Sequence, residues 1–147
     1  MLKFLRKILR YNFWFEHDLV ESGGERYLER WFMYFLGFTF RVHKFYRGDD
    51  DRAPHDHPWP FITFPLSGYW EKVFEPFFED SSYRYVKPFR FHYRPSSYQH
   101  IVLGPHIVRH EWHKPFWTIV VTGRKDRSWG FYPDGEYVYW RNFLASR

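Results

Sequence analysis

From Thr39 onward the sequence is a succession of short segments rich in Val, Ile, Phe, Tyr and Trp, separated by turn residues. Such segments are typical of β-strands. Because no helical spacers separate them, the pattern predicts a mainly β fold, either an antiparallel sandwich or a closed barrel. The last turn, Pro133-Asp134-Gly135, has the Asp-Gly chemistry of a tight hairpin. The predicted strands lie at 38–46, 59–66, 69–75, 83–87, 89–94, 99–103, 106–112, 115–122, 128–132 and 136–141.

The first 36 residues follow a different pattern. In MLKFLRKILRYNFWF (residues 1–15), basic side chains and leucines each recur every three or four positions, which predicts a basic amphipathic helix. Residues 25–36 could be helical or could lead directly into a strand. We therefore predict an N-terminal helical extension over residues 1–36, packed on a β-barrel domain of residues 37–147. Contact of residues 1–15 with a membrane surface is the less favoured alternative.

Composition narrows the chemistry that the chain can perform. There is no cysteine, which excludes disulfides and thiolate ligands and fits a reducing compartment. Nine histidines leave imidazole as the main candidate metal ligand. The net charge of +5 favours anions in a general way, but no nucleic-acid-binding motif is present, so nucleic acid is not an expected partner. Aromatic residues make up 26% of the chain, so rings are expected to line the core and any pocket.

His55 and His57 are the strongest candidates for a functional site. On an extended chain, residues two apart point to the same side, so both imidazoles could bind one ion. A third ligand should come from a neighbouring strand, and His100, directly after the Pro95-Ser96-Ser97 turn, suits that place. Two exposed loop histidines, or two members of a hydrogen-bond network, are the alternatives to a metal site.

Three stretches resemble a group of small cupin-like proteins of bacteria and their phages. They are HDHPWPFITFPLSGYWE, RPSSYQHIVL and PFWTIVVTGRKDRSWGFYPDGEYVYWRNF, which together span about residues 52–143. The resemblance implies a double-stranded β-helix (jelly-roll) barrel with an internal cavity, in the cytoplasm of a bacterium or a phage-infected cell. It implies no particular activity, because this fold hosts many functions. Two positions depart from the general cupin pattern: Phe61 or Ile62 stands where a glutamate ligand is usual, and Ser97 replaces a turn glycine.

The resemblance and the histidine spacing together predict one divalent transition metal ion held by His55, His57 and His100. A site of three neutral histidines leaves coordination positions open and suits Fe(II), which we favour, with Zn(II), Ni(II) or Mn(II) as alternatives. Glu71, on the adjoining strand, is the favoured additional ligand, ahead of Asp56 or a water molecule. A barrel that keeps the fold without the ion is the competing interpretation.

A substrate pocket is expected around this ion, lined mostly by rings. Arg94 could turn inward to pair with an anion, although burial statistics for arginine favour an outward side chain. The RGDDDR segment (47–52) could bind a hard cation, but a solvated loop is preferred. Arg127 is expected in an exposed turn, within reach of a pocket rim. The predicted pocket residues are Trp59, Phe61, Phe64, Arg94, Tyr98 and Trp117.

These features predict a metal-dependent enzyme that acts on a small molecule. The reaction would be oxygenation of the dioxygenase type with Fe(II), or isomerisation or hydration with the metal as a Lewis acid. The alternative is a noncatalytic binding module that captures a small anionic ligand resembling a nucleotide or a sugar. Barrels of this type often pair through their outer strands, so a homodimer is also expected. The sequence names no catalytic residue beyond the metal ligands.

Overall fold

The computed structural model describes residues 13–22, 24–49, 52–75, 81–105 and 114–146. Antiparallel strands make up most of this part of the chain, and a short helix follows the last of them. The elements are β1 (Phe13–Ser22), β2 (Glu25–Phe35), β3 (Phe38–Phe45), β4 (Phe61–Pro65), β5 (Tyr69–Phe74), β6 (Ser81–Val86), β7 (His92–Arg94), β8 (Gln99–Gly104), β9 (Phe116–Thr122), β10 (Gly130–Phe131), β11 (Val138–Tyr139) and α1 (Trp140–Ala145).

The strands form a larger and a smaller sheet. The larger one has six strands in the order β1-β2-β3-β9-β4-β7, all antiparallel. The smaller one contains the group β6-β5-β8 and the hairpin β10-β11. His55 joins these two parts, because it forms a β-bridge to His100 of β8 and another to Phe131 of β10. The first predicted metal ligand is therefore part of the sheet itself.

The hydrophobic core lies between the sheets. β2, β3 and β9 contribute to it from one side, and β5, β6 and β8 from the other. Phe116 is 1% exposed, and its ring stacks on Phe45 with 4.8 Å between ring centroids. Alternation along each strand directs every second side chain into this space, which is the pattern expected of a two-layer β fold. The core residues are Tyr27, Leu28, Phe45, Tyr69, Val86, Val102 and Phe116.

The outer face of the larger sheet is unusually apolar. One row of directly opposed residues crosses the sheet from edge to edge, and several of its side chains are exposed. The homodimer stays a prediction, and this face offers apolar surface on which a second copy could pack. The row consists of Phe15, Met33, Phe40, Val121, Ile62 and Tyr93.

The expected N-terminal helix is wrong for the described residues of that segment. Residues 13–35 form the β1–β2 hairpin, and β2 continues the sheet by pairing with β3 from Leu28↔Phe45 to Phe35↔Phe38. The cause is the density of aromatic side chains, which favour a pleated surface over a helix. Gly24 makes the hairpin turn with a positive φ of 79°. Residues 1–12, which carry most of the predicted basic helix and its membrane contact, lie outside the described residues.

Most of the predicted strands are confirmed near their expected places. The Pro133-Asp134-Gly135 turn does connect two antiparallel strands, β10 and β11. The last predicted strand is wrong at its end, because α1 begins at Trp140 and buries Phe143. The predicted strand at 106–112 lies outside the described residues, and the domain boundary at residue 36 stays a prediction. Within the described residues, none of the helical structure has the length and apolarity needed to cross a bilayer.

Candidate metal centre

Backbone hydrogen bonds place His55 directly beside His100. The His55 amide donates to the His100 carbonyl at 3.2 Å, and the His100 amide donates back to His55 at 3.1 Å. On the other side of this segment, the Asp56 amide donates to the Gly130 carbonyl at 3.2 Å. The residues around His55 therefore sit between β8 and β10 as an additional strand, and that position carries His57 toward the same point.

The three imidazoles converge. One ligand nitrogen from each of His55, His57 and His100 lies within 4.8 Å of the others, close enough for side-chain rotation to bring all three to one ion. The Nε2 atoms of His57 and His100 are 3.0 Å apart. Two nitrogens that each lie about 2.1 Å from one metal ion, with a nitrogen–metal–nitrogen angle of about 90–110°, are separated by about 3.0–3.4 Å. The donor set therefore fits a divalent transition metal ion.

Glu71 lies behind His100, on the side away from the other two histidines. Its Oε1 is 3.2 Å from His100 Nδ1. Arg94 Nη2 donates to Oε2 at 3.3 Å, and the Tyr98 hydroxyl donates to the same oxygen at 2.8 Å. Burial opposes ionisation, but the adjacent His100 ring, the Arg94 guanidinium and the hydrogen bonds from His100 and Tyr98 lower the pKa of Glu71 to about 2. An ionised carboxylate can only accept, so His100 Nδ1 carries a proton and Nε2 is free to face the site.

Asp49 stands in a similar position behind His55. Its Oδ2 is 3.5 Å from His55 Nδ1, and the Tyr27 hydroxyl donates to the same oxygen at 3.3 Å. The Asp49 side chain is 1% exposed. Gly48 makes this possible, because a Cβ there would lie 2.7 Å from the Val102 carbonyl oxygen. The solvated loop predicted for 47–52 is therefore wrong at Asp49, and sequence gave no signal of its burial.

The protonation state of the histidines suits metal binding. Burial, and then the neighbouring His100 ring, hold the pKa of His55 well below its usual value. Burial, His100 and His55 do the same for His57. Both rings are therefore neutral near pH 7, as imidazole must be to bind a metal.

Aromatic rings surround His57. Trp59 stacks on it with 5.2 Å between centroids and an interplanar angle of 16°. Phe61, buried in β4, meets it edge-on at 4.6 Å. Tyr98 lies on the other side of the site, with its ring 5.2 Å from His100. These three predicted pocket residues are thus brought together with the histidines.

No protein-family model matches this sequence, and no curated protein matches it. Solved structures match its fold. The crystal structure of FeII HppE superposes with a TM-score of 0.56 and 10% sequence identity, over 74% of this chain and 56% of that one. A mutant of the oxalate decarboxylase OxdC from Bacillus subtilis gives a TM-score of 0.55 and 11% identity, over 78% of this chain and 29% of that one. An RmlC-like cupin from Shewanella frigidimarina gives a TM-score of 0.50 and 13% identity, over 76% of this chain and 87% of that one.

The chain has the cupin fold. At this low identity the likeness concerns the fold alone, and the chain spans about half of HppE and under a third of OxdC. The fold nevertheless confirms the jelly-roll expectation. Glu71, predicted as an additional ligand, lies outside the cluster of ligand nitrogens, and its carboxylate contacts His100 Nδ1.

Two predicted pocket residues lie on the wrong face of the cupin sheet. Phe64 points outward and packs on Phe91 at 4.9 Å, because its neighbours Thr63 and Pro65 take the inward positions. Trp117 also points outward, where it stacks on Trp31 at 5.8 Å. A strand alternates strictly, so Phe61 and Phe64, three positions apart, cannot both face inward. In β9 the inward position belongs to Phe116, and sequence alone could not choose between it and its aromatic neighbour Trp117.

Arg94 is inward and buried, with 2% exposure, so the outward preference was wrong. Its charge is already paired with Glu71, and its guanidinium lies 4.7 Å from the Tyr98 ring centroid. Arg94 therefore supports the site from behind and does not offer a free charge to a ligand. His92, on the same face of β7, has its Nε2 2.9 Å from the Lys87 carbonyl oxygen.

Asp56 does not complete the metal site. It lies between the two ligands in sequence, so its side chain points to the opposite side of the segment. There it is fully buried, accepts hydrogen bonds from the Gly130 amide at 2.9 Å and the Tyr132 hydroxyl at 2.8 Å, and pairs with Arg127 at 2.9 Å. Asp56 and Arg127 therefore hold the β10 region against the histidine segment.

Proposed function

We propose that this protein is a metal-dependent enzyme that acts on a small molecule, with His55, His57 and His100 holding one divalent ion. The observation that carries the proposal is the convergence of three imidazoles, two of which place their Nε2 atoms 3.0 Å apart. A three-histidine site keeps coordination positions for a substrate, as catalytic metal sites do. Four protein ligands, the usual structural arrangement, are not found among the described residues.

Iron(II) remains the favoured metal, with Zn(II), Ni(II) or Mn(II) as alternatives. Neutral imidazoles suit all of these ions, so the donor set does not choose between them. HppE, which shares the fold, was crystallised in its FeII form, and this supports iron. When bound, the ion supplies Lewis-acid chemistry for isomerisation or hydration, or redox chemistry for oxygenation if it is iron.

The protein's own contribution is to orient the ligands and to keep water away. Glu71 holds His100 through Nδ1 and fixes the direction of its Nε2. Asp49 Oδ2 lies 3.5 Å from His55 Nδ1, and because that nitrogen forms no hydrogen bond within the described residues, the effect of Asp49 on the ring is electrostatic. Trp59 and Phe61 cover His57, so that a small molecule beside it would lie against rings rather than water. Glu71 and Asp49 are positioning residues in this proposal, and no group is assigned as a general acid or base.

The proposal predicts that the protein, purified without a histidine tag, carries about one divalent metal ion per chain. The His55→Ala/His57→Ala variant should lose it, because one remaining imidazole cannot retain the ion. His92→Ala is the matched control, since its ring nitrogen faces a backbone carbonyl elsewhere. Elemental analysis of the three proteins, after reloading with Fe(II) under anaerobic conditions, measures the result. Equal metal content in the double variant and the wild type would overturn the proposal.

A further inference from the structure

A second group of polar side chains faces the interior beside the metal centre. Arg41 and His43 lie on the inward face of β3, in line with the buried Thr39 and Phe45. The Arg41 guanidinium carbon is 4.5 Å from the centroid of Trp59, and Trp59 stacks on His57. Arg41 and the metal centre thus share one aromatic wall, with the Trp59 ring between them.

The charge of Arg41 has no protein partner among the described residues. Its Nε is inaccessible to solvent and forms no hydrogen bond there, and neither does Nε2 of His43. Asp18, whose negative charge acts on Arg41, is already engaged, because Arg30 donates to both of its oxygens at 2.7 and 2.8 Å. The Arg30 guanidinium is therefore neutralised by a carboxylate, whereas the Arg41 guanidinium of the same sheet has no ion pair among the described residues.

The surroundings of Arg41 stabilise a cation but do not satisfy its donors. Its guanidinium lies 5.5 Å from the Phe32 centroid as well as against Trp59. Ring faces attract a cation but accept few hydrogen bonds. Burial, together with the charge of Arg30, lowers the pKa of Arg41 to about 10, so the group is still charged near pH 7. Arg41 is only partly exposed, and charges removed from water are normally paired, which points to an anion supplied from outside the chain.

We infer that Arg41, together with His43, forms a subsite for the oxyanion group of a small organic acid whose remainder extends across Trp59 toward His57. A carboxylate or a phosphoryl or phosphonyl group fits, because the guanidinium fork offers parallel N–H donors to two oxygens. This inference rests on the proposed function for the role of the three histidines. It makes the substrate an acid that is held at one end by Arg41 and presented to the metal at the other.

Binding of simple anions tests the inference directly. The probes are acetate, succinate, inorganic phosphate and methylphosphonate, each compared with sodium chloride at equal ionic strength. Isothermal titration calorimetry and thermal shifts should show that at least one of them binds to the wild type. Arg41→Met should weaken that binding about ten- to hundredfold, the range expected for loss of a charge-assisted hydrogen-bonded contact. Arg141→Met is the matched control and should keep the affinity, because Arg141 also lies against a tryptophan ring, Trp140 at 5.2 Å, but is exposed. Arg41→Lys should retain only part of the affinity.

The metal-site variant separates this inference from the proposed function. Anion binding at Arg41 should persist in His55→Ala/His57→Ala, and the metal content of Arg41→Met should equal that of the wild type. Binding that disappears in the histidine variant but survives in Arg41→Met would place the anion on the metal and overturn the subsite alone. Absence of binding by all four probes, or equal loss in Arg41→Met and Arg141→Met, would also overturn it. If Arg41→Met does not fold, the comparison of Arg41→Lys with Arg141→Lys decides.

Discussion

Replacing Glu71 by alanine should lower the free energy of unfolding by about 3–5 kcal/mol, the cost of breaking a buried charge pair. The side chains of Glu71 and Arg94 are 1% and 3% exposed, so the arginine would be left buried without its counter-ion. Tyr98 and His100 would lose their acceptor in the same step. Urea denaturation followed by circular dichroism measures the change.

Two further variants distinguish the charge pair from simple packing. Asp18→Ala removes the carboxylate of another Arg–carboxylate pair, but one whose side chains are 32% and 41% exposed, so its effect should be below about 1 kcal/mol. Glu71→Met/Arg94→Met removes both charges and should recover much of the lost stability. A Glu71→Ala protein as stable as Asp18→Ala would show that the buried Glu71–Arg94 pair stabilises the fold no more than the exposed Asp18–Arg30 pair.

Asp56→Ala should have the next largest effect and should lower the free energy of unfolding by about 2–4 kcal/mol. It removes the acceptor of the Gly130 amide and of the Tyr132 hydroxyl, and each buried donor left unsatisfied costs about 1–3 kcal/mol. Because the Asp56 backbone lies between the two histidines of the site, the variant should also bind metal less tightly. Chemical denaturation and metal titration measure the two effects.

Asp126→Ala is the control for that change. Asp126 lies in the same region of the chain but is exposed, and its carboxylate accepts a hydrogen bond from Ser96 Oγ at the surface. Its removal should alter stability by no more than about 0.5 kcal/mol and should leave metal binding intact. If both aspartate variants behaved alike, the buried hydrogen bonds of Asp56 would not be the cause.

The candidate site shows why some residues could be predicted and others could not. His55 and His57 can be predicted as a pair, since two imidazoles at a spacing of two lie on the same side of an extended chain. Asp49 does not, because its burial depends on Gly48 approaching the backbone of β8, which is more than fifty positions away in sequence. Arg41 was missed for a similar reason. Its lack of an ion pair among the described residues follows from the pairing of Arg30 with Asp18, which only the sheet register creates.

The amino-acid sequence by itself determined that the chain is mainly β, where most strands lie and which histidines could meet, because alternation and turn chemistry are local properties. Tertiary structure decided which face of each strand is buried, and so placed Phe61 inside but Phe64 and Trp117 outside. It also decided that residues 13–35 extend the sheet, that the Glu71 carboxylate contacts His100 Nδ1, and that Arg41 Nε is buried without a hydrogen-bond partner in the described part of the chain. Each of these outcomes depends on a contact between strands distant in sequence, and no local pattern encodes the partner.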